Sequence, residues 1–193
     1  VLNAPTTLNV AGGFTNNGTF NRGTGTVVFN GSAVQSIAGS SVTDFNNISV
    51  TNVAVPTAVR IQSNHNLRGT LTLAANSVFD ADGSGGTSIF TLVSTDDDPT
   101  VDAAIATIPA GASVTGSVTV QRYMSIEPGP NTNDRIYRYI SSPVSTPSVS
   151  QIQNTLPVTG SFTGTSTCSG CGSTQSMFSY DETVITCDLN TGY

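Results

Sequence analysis

Seven short runs of alternating apolar residues recur through the first two thirds of the chain, each too short to fold alone. They are Leu8-Asn9-Val10, Val27-Val28-Phe29, Ile48-Ser49-Val50, Val59-Arg60-Ile61, Leu71-Thr72-Leu73, Phe90-Thr91-Leu92 and Val118-Thr119-Val120. Each run places its first and third side chains on one face and its middle one on the other, the period of a half-buried strand. Gly12-Gly13, Asn16-Asn17-Gly18, Asn30-Gly31, Gly39-Ser40 and Gly83 to Gly86 lie between them and suit tight turns. From first residue to first residue the runs are spaced by 19, 21, 11, 12, 19 and 28 residues, and the 11 and 12 together make 23. A recurrence of 19–23 residues with several short strands per unit predicts one coil of a parallel β-helix, repeated over residues 1–120. The alternative is an antiparallel β-sandwich, which calls for longer strands at spacings of about 8–12 residues.

Composition points the same way. Val, Ile and Thr make up 60 of 193 residues, whereas Leu, Gln, Glu and Met supply 18 and Lys is absent. Branching at Cβ costs rotamer freedom in a helix and fits a pleated sheet, so the chain reads as all-β. Only 9% of residues are charged, against about 25% in typical soluble domains. The polar residues are instead 29 Thr, 24 Ser and 16 Asn. In a β-helix like residues stack coil on coil at about 4.8 Å. Ladders of hydroxyls and amides tolerate that stacking, and ladders of one charge sign repel.

Charge and hydropathy also restrict partners. Six scattered Arg and a net charge of −6 cannot neutralise a phosphate backbone, so nucleic acid is not an expected partner. No apolar run approaches the roughly 18 residues that a membrane-crossing helix needs, so membrane insertion is not expected either. Val1 reads as a processed or excised start, and Asn190-Thr191-Gly192-Tyr193 as an internal stopping point in a longer polypeptide.

From about Ala103 the pattern changes. Ala110 to Tyr123 reads as a last solenoid strand or an exit hairpin, followed by the loop Glu127-Pro128-Gly129-Pro130. Residues 121–193 are expected to form a smaller β module, cut short at its C-terminal end, with one short helix over Ser150–Leu156. Cys168, Cys171 and Cys187 all fall here. Their odd number leaves one thiol free or paired beyond this segment, and the lack of a second pair or nearby His argues against a zinc site. One structural disulfide is expected, joining Cys187 to Cys168 or Cys171.

Gly13-Phe14-Thr15-Asn16-Asn17-Gly18-Thr19-Phe20, Gly25-Thr26-Val27-Val28-Phe29-Asn30-Gly31 and Phe45-Asn46-Asn47-Ile48-Ser49-Val50 resemble repeats of very large Bacteroidetes-type surface proteins. Val118-Thr119-Val120-Gln121-Arg122-Tyr123, Arg138-Tyr139-Ile140-Ser141-Ser142-Pro143-Val144 and Met177-Phe178-Ser179-Tyr180-Asp181 are similar to a module that often follows them. The resemblance implies export by the type IX secretion route and an extracellular or cell-surface location. It implies no catalytic residues.

Several groups of residues have the makings of a site. Asp80-Ala81-Asp82-Gly83-Ser84 sets oxygen ligands at alternate positions before a glycine, as calcium loops do, which makes Asp80, Asp82 and Ser84 candidate calcium ligands. The twelfth position is Thr91 rather than Glu. Asp44, Asp80, Asp82 and Asp102 are the carboxylates a glycosidase or lyase would need in a pair, with nothing in their spacing to select two. His65, the only histidine, is read as a turn or ladder residue. Thr19, Thr24, Thr26, Thr70, Thr72 and Thr119 do not form the regular Thr-x-Thr repeat of an ice-binding face.

The sequence therefore predicts a non-enzymatic extracellular structural or adhesive segment, a stalk, fibre or filament subunit, with self-association through exposed strand edges. No cofactor is expected apart from the candidate calcium. The alternative is a carbohydrate-binding module that contacts surface glycans.

Overall fold

The computed structural model describes residues 1–83, 85–95 and 102–123. The chain divides into two units, Val1–Ile136 and Tyr137–Tyr193, and every described residue belongs to the first. These residues form a β-solenoid of parallel strands, and no helix occurs among them.

Sixteen strands form three stacked sheets and one extra pair. Sheet 1 stacks β2 (Thr7–Val10), β5 (Thr26–Phe29), β8 (Asn47–Val50), β11 (Thr70–Leu73) and β14 (Ala104–Ile105). Sheet 2 stacks β3 (Phe14–Thr15), β6 (Gln35–Ala38), β9 (Val59–Ile61), β12 (Val78–Asp80) and β15 (Ser113–Thr115). Sheet 3 stacks β7 (Thr43–Phe45), β10 (His65–Leu67), β13 (Phe90–Leu92) and β16 (Val118–Val120). β1 (Leu2–Asn3) pairs with β4 (Phe20–Asn21), and β4 lies beside β7. The chain visits sheets 1, 2 and 3 in turn and climbs one rung at each return.

All seven runs picked out in the sequence are strands, but they do not share one face. Leu8, Val27, Ile48 and Leu71 align in one rank of sheet 1, so the spacings of 19, 21 and 23 each measure a true coil. Val59 lies on sheet 2, and Phe90 and Val118 lie on sheet 3. Of the last two spacings, 19 therefore compares different faces, and 28 measures one coil along sheet 3. The next residue in the sheet 1 rank is Ile105, 34 positions after Leu71. Most of the extra length falls after sheet 3, where Leu92 to Ile105 spans 13 positions against 4 from Leu67 to Leu71, and the Ala103 amide donates to the Val93 carbonyl (3.0 Å).

Inward ranks build the core. Leu8-Val27-Ile48-Leu71-Ile105 and Val10-Phe29-Val50-Leu73 line sheet 1. Ile48, Val50, Phe29 and Leu71 are fully buried, each such side chain contributing about 1.5–3 kcal/mol of hydrophobic stabilisation. Phe14, Phe20 and Phe45 meet with ring centroids 5.4–5.8 Å apart. Ala110–Tyr123 is neither a single strand nor a hairpin. Gly116, at φ 79°, separates β15 from β16, and each pairs in parallel with a strand of the preceding coil.

Candidate functional site

Three corners join the sheets, and the side chains with chemical potential concentrate there. At corner 1, between sheets 1 and 2, an amide ladder runs up the inside. Gln35, 2% exposed, donates to the carbonyls of Val10 (2.8 Å) and Gly12 (2.6 Å) and accepts from the Gly31 amide (2.9 Å). On the next coil Asn52 donates to Gln35 Oε1 (3.0 Å) and to the Ala33 carbonyl (2.6 Å), while its own Oδ1 accepts from Ala54 N (2.8 Å). One coil further, Ser77 donates to the Asn52 carbonyl (2.7 Å). Every buried polar group of this ladder has a partner, as burial demands.

Corner 2, between sheets 2 and 3, carries a second ladder. Asn16 donates to Thr43 Oγ1 (2.9 Å), and the Thr43 amide donates to His65 Nδ1 (3.3 Å). His65 is fully buried in the inward rank Thr43-His65-Phe90-Val118, edge-on to Phe45 at 6.0 Å. Its role as a ladder histidine agrees with the sequence reading. Because Nδ1 accepts a backbone hydrogen bond, the ring proton sits on Nε2, 2.9 Å from Ser63 Oγ. Burial pushes the imidazole pKa below its ordinary 6.5, and a backbone hydrogen bond at Ile37 opposes the shift. Ser63, Asn64, Gly39, Ser40, Ser41 and Val42 line a shallow hollow of about 250 Å³ above this pair. A Ser beside a His under a hollow has the outline of a nucleophile and its base, but the proton placement is the reverse. Nε2 donates to the serine and so cannot take its proton.

The candidate carboxylates lie apart, each held by the chain itself. Asp44, on the outer face of sheet 3, accepts from Arg68 Nε (3.0 Å) and Asn66 Nδ2 (2.7 Å). Asp80, on the outer face of sheet 2, accepts from Arg60 Nε (3.1 Å) and Gly83 N (3.0 Å). Asp82 accepts from Ser117 N on the next coil (2.8 Å), and Asp102 pairs with Arg122. Asp80 and Asp82 thus fall in one turn. Ser84, their proposed companion, lies outside the described residues. Among the described residues no three His, Cys, Asp or Glu gather as a metal cluster would require. Cys168, Cys171, Cys187 and the Ser150–Leu156 stretch are outside the described residues too.

The outer ranks divide the solenoid by charge. The described residues include four Arg and four Asp: Asp44, Arg60, Asp80, Asp82 and Arg122 lie on sheets 2 and 3 or at the turns that leave them, and Arg22, Arg68 and Asp102 stand at corner 3, where the chain enters sheet 1. The outer ranks of sheet 1 are Thr7-Thr26-Asn47-Thr70-Ala104 and Asn9-Val28-Ser49-Thr72, without a charge among them. Corner 1 is uncharged as well and exposes Val34, Val53, Val55 and Ile108. Sequence reasoning read His65 as a turn or ladder residue but missed the polar partners that make up both inner ladders. Their signal was a polar residue in an apolar slot, such as His65 two positions before Leu67 or Gln35 two before Ile37.

Together these features define a parallel β-solenoid whose ionisable groups are tied into its own framework. No protein-family model, curated protein or solved structure matches the chain significantly.

Proposed function

We propose that this chain is a non-enzymatic structural and adhesive segment of an extracellular protein, a stalk that holds a binding face at a distance. One observation carries the reading: each group that catalysis would recruit, apart from one buried oxygen of Asp102, is tied to a partner within the chain. Asp44 and Asp80 anchor Arg68 and Arg60 of neighbouring rungs, Asp82 holds the Ser117 amide, and His65 donates to Ser63. A general acid or base needs a titratable atom free to face a substrate. Continuous ranks of buried apolar side chains suit a load-bearing spacer, since each coil is gripped by the coils on both sides. The extracellular setting rests on the sequence resemblance.

The test is a turnover screen of the full chain on neutral and acidic polysaccharides and on small activated esters. It would be read as new reducing ends, unsaturated products and released alcohol. The expected result is no turnover above buffer. Turnover that Ser63→Ala or Asp44→Asn abolishes would overturn the reading.

A further inference from the structure

We infer that the outer face of sheet 1, with corner 1 beside it, docks onto the surface of a packed neutral polysaccharide. This deepens the adhesive reading and rests on it.

Three observations converge on this side of the solenoid. The first is charge. None of the four Arg and four Asp of the described residues stands in the outer ranks of sheet 1 or at corner 1; Arg22, Arg68 and Asp102 lie along the opposite edge at corner 3, the last two paired with Asp44 and Arg122, and the face is neutral over five successive rungs. A charged polymer would find no counter-charge here, and a neutral one loses no ion hydration by approaching.

The second is hydrogen-bonding capacity left open. On sheets 2 and 3 the outward charged groups take up partners, as in Asp44 with Asn66 and Arg68, or Arg60 with Asp80, while hydroxyls such as Ser36 and Thr119 stand as single open positions beside them. On sheet 1 the one side-chain hydrogen bond among the described outer-rank residues runs from the Thr70 amide to Asn47 Oδ1 (2.8 Å). The hydroxyls of Thr26, Ser49 and Thr72 and the amide of Asn9 therefore face outward with capacity for an external partner. They repeat at about 4.8 Å between rungs and about 6.7 Å along each strand. Such a grid suits a surface whose own hydroxyls repeat.

The third is the apolar margin. Val34 (45% exposed), Val53 (53%), Val55 (82%) and Ile108 (46%) lie at corner 1 of three different coils. A pyranose ring carries hydroxyls at its edge and C–H groups on its faces, so an apolar margin beside a hydroxyl and amide grid matches both parts of the ring. Ice would favour uniform threonine ranks, whereas these mix Thr, Asn, Ser, Val and Ala. No aromatic ring stands on this face among the described residues. Binding per copy should therefore be weak, and retention should need an extended surface rather than a soluble oligosaccharide.

The experiment is co-sedimentation of the full chain with microcrystalline cellulose and with chitin, at low and high salt. Two lysine substitutions are compared at exposed threonines in outward ranks. Thr72→Lys stands on sheet 1 and Thr119→Lys on sheet 3. The expected result is salt-independent retention that Thr72→Lys weakens about tenfold, equivalent to about 1.4 kcal/mol, and that Thr119→Lys leaves unchanged. Far-ultraviolet circular dichroism checks that both variants fold. No retention on either polymer overturns the proposal, as does equal loss in both variants or loss in high salt. Ice-growth inhibition without retention would assign the face to the water lattice and overturn it too. Retention through another surface would remove the face assignment and leave the adhesive reading standing, which only turnover defeats.

Discussion

The two inner ladders solve one problem with different chemistry. Each brings polar side chains into the solenoid interior, where an unpartnered polar group costs about 1–3 kcal/mol. At corner 1 Gln35, Asn52 and Ser77 do it with amides and a hydroxyl, groups whose charge does not change with pH. At corner 2 Asn16, Thr43 and Ser63 surround His65, the only imidazole in the chain. Both ladders bind coil to coil, but only the second can be loosened by a proton. The difference teaches that a polar ladder's strength and its sensitivity to conditions are set separately.

The largest expected effect comes from breaking the insensitive ladder. Asn52→Leu removes donors to Gln35 Oε1 and the Ala33 carbonyl and the acceptor for Ala54 N. Leaving those groups buried and unpaired should cost about 3 kcal/mol or more. Urea melts of variant and parent at pH 8 and pH 5.5 should show the same loss at both.

The second ladder should answer to acid. The pKa of folded His65 lies below the ordinary 6.5, so below that pH the unfolded chain takes up a proton that the folded chain refuses. Stability should be constant above about pH 7 and fall as pH drops through 6.5 towards the folded value. His65→Gln can keep partners for Ser63 and the Thr43 amide, and it should flatten this dependence between pH 7.5 and 5.5. A parent chain whose urea midpoint does not move over that range would erase the contrast between the ladders.

The smallest effect belongs to the outside. Arg60 is 30% exposed and Asp80 14% at the side chain, and a pair of this kind contributes about 0.5–1 kcal/mol. Arg60→Met should shift the thermal midpoint by only a few degrees and leave the pH profile of the parent intact.

How much of this was legible in the sequence follows from the geometry of stacking. Leu8, Val27, Ile48 and Leu71 carry the repeat in plain sight because sheet 1 recurs at nearly constant spacing. Short strands such as Phe14–Thr15 and Thr43–Phe45 were missed because two or three residues give too few alternations to stand out. Period-two patterning says that a residue points inward but not into which of three sheets, so Val59 and Phe90 merged with the sheet 1 series. The ladders were hidden for a related reason. Asn52 and Asn16 look like turn asparagines, and only the stacking of coils, which brings Gln35 to Asn52 and Thr43 to Asn16, gives them inward partners. The candidate calcium turn was legible as a turn, while the Arg60 partner of Asp80 comes from the rung below.

The coil from Leu71 to Ile105 is longer than those before it, yet Ile105 takes its place in the sheet 1 rank and the Ala103 amide bonds the Val93 carbonyl across the interval. Rung order is thus set by which residues pair, Leu71 with Ile105, rather than by the number of positions between them. Corner 3 is in effect a socket. Segments of different length and chemistry fit there while the rungs above and below keep their alignment, so a β-solenoid of this kind accepts new attachments without refolding its core.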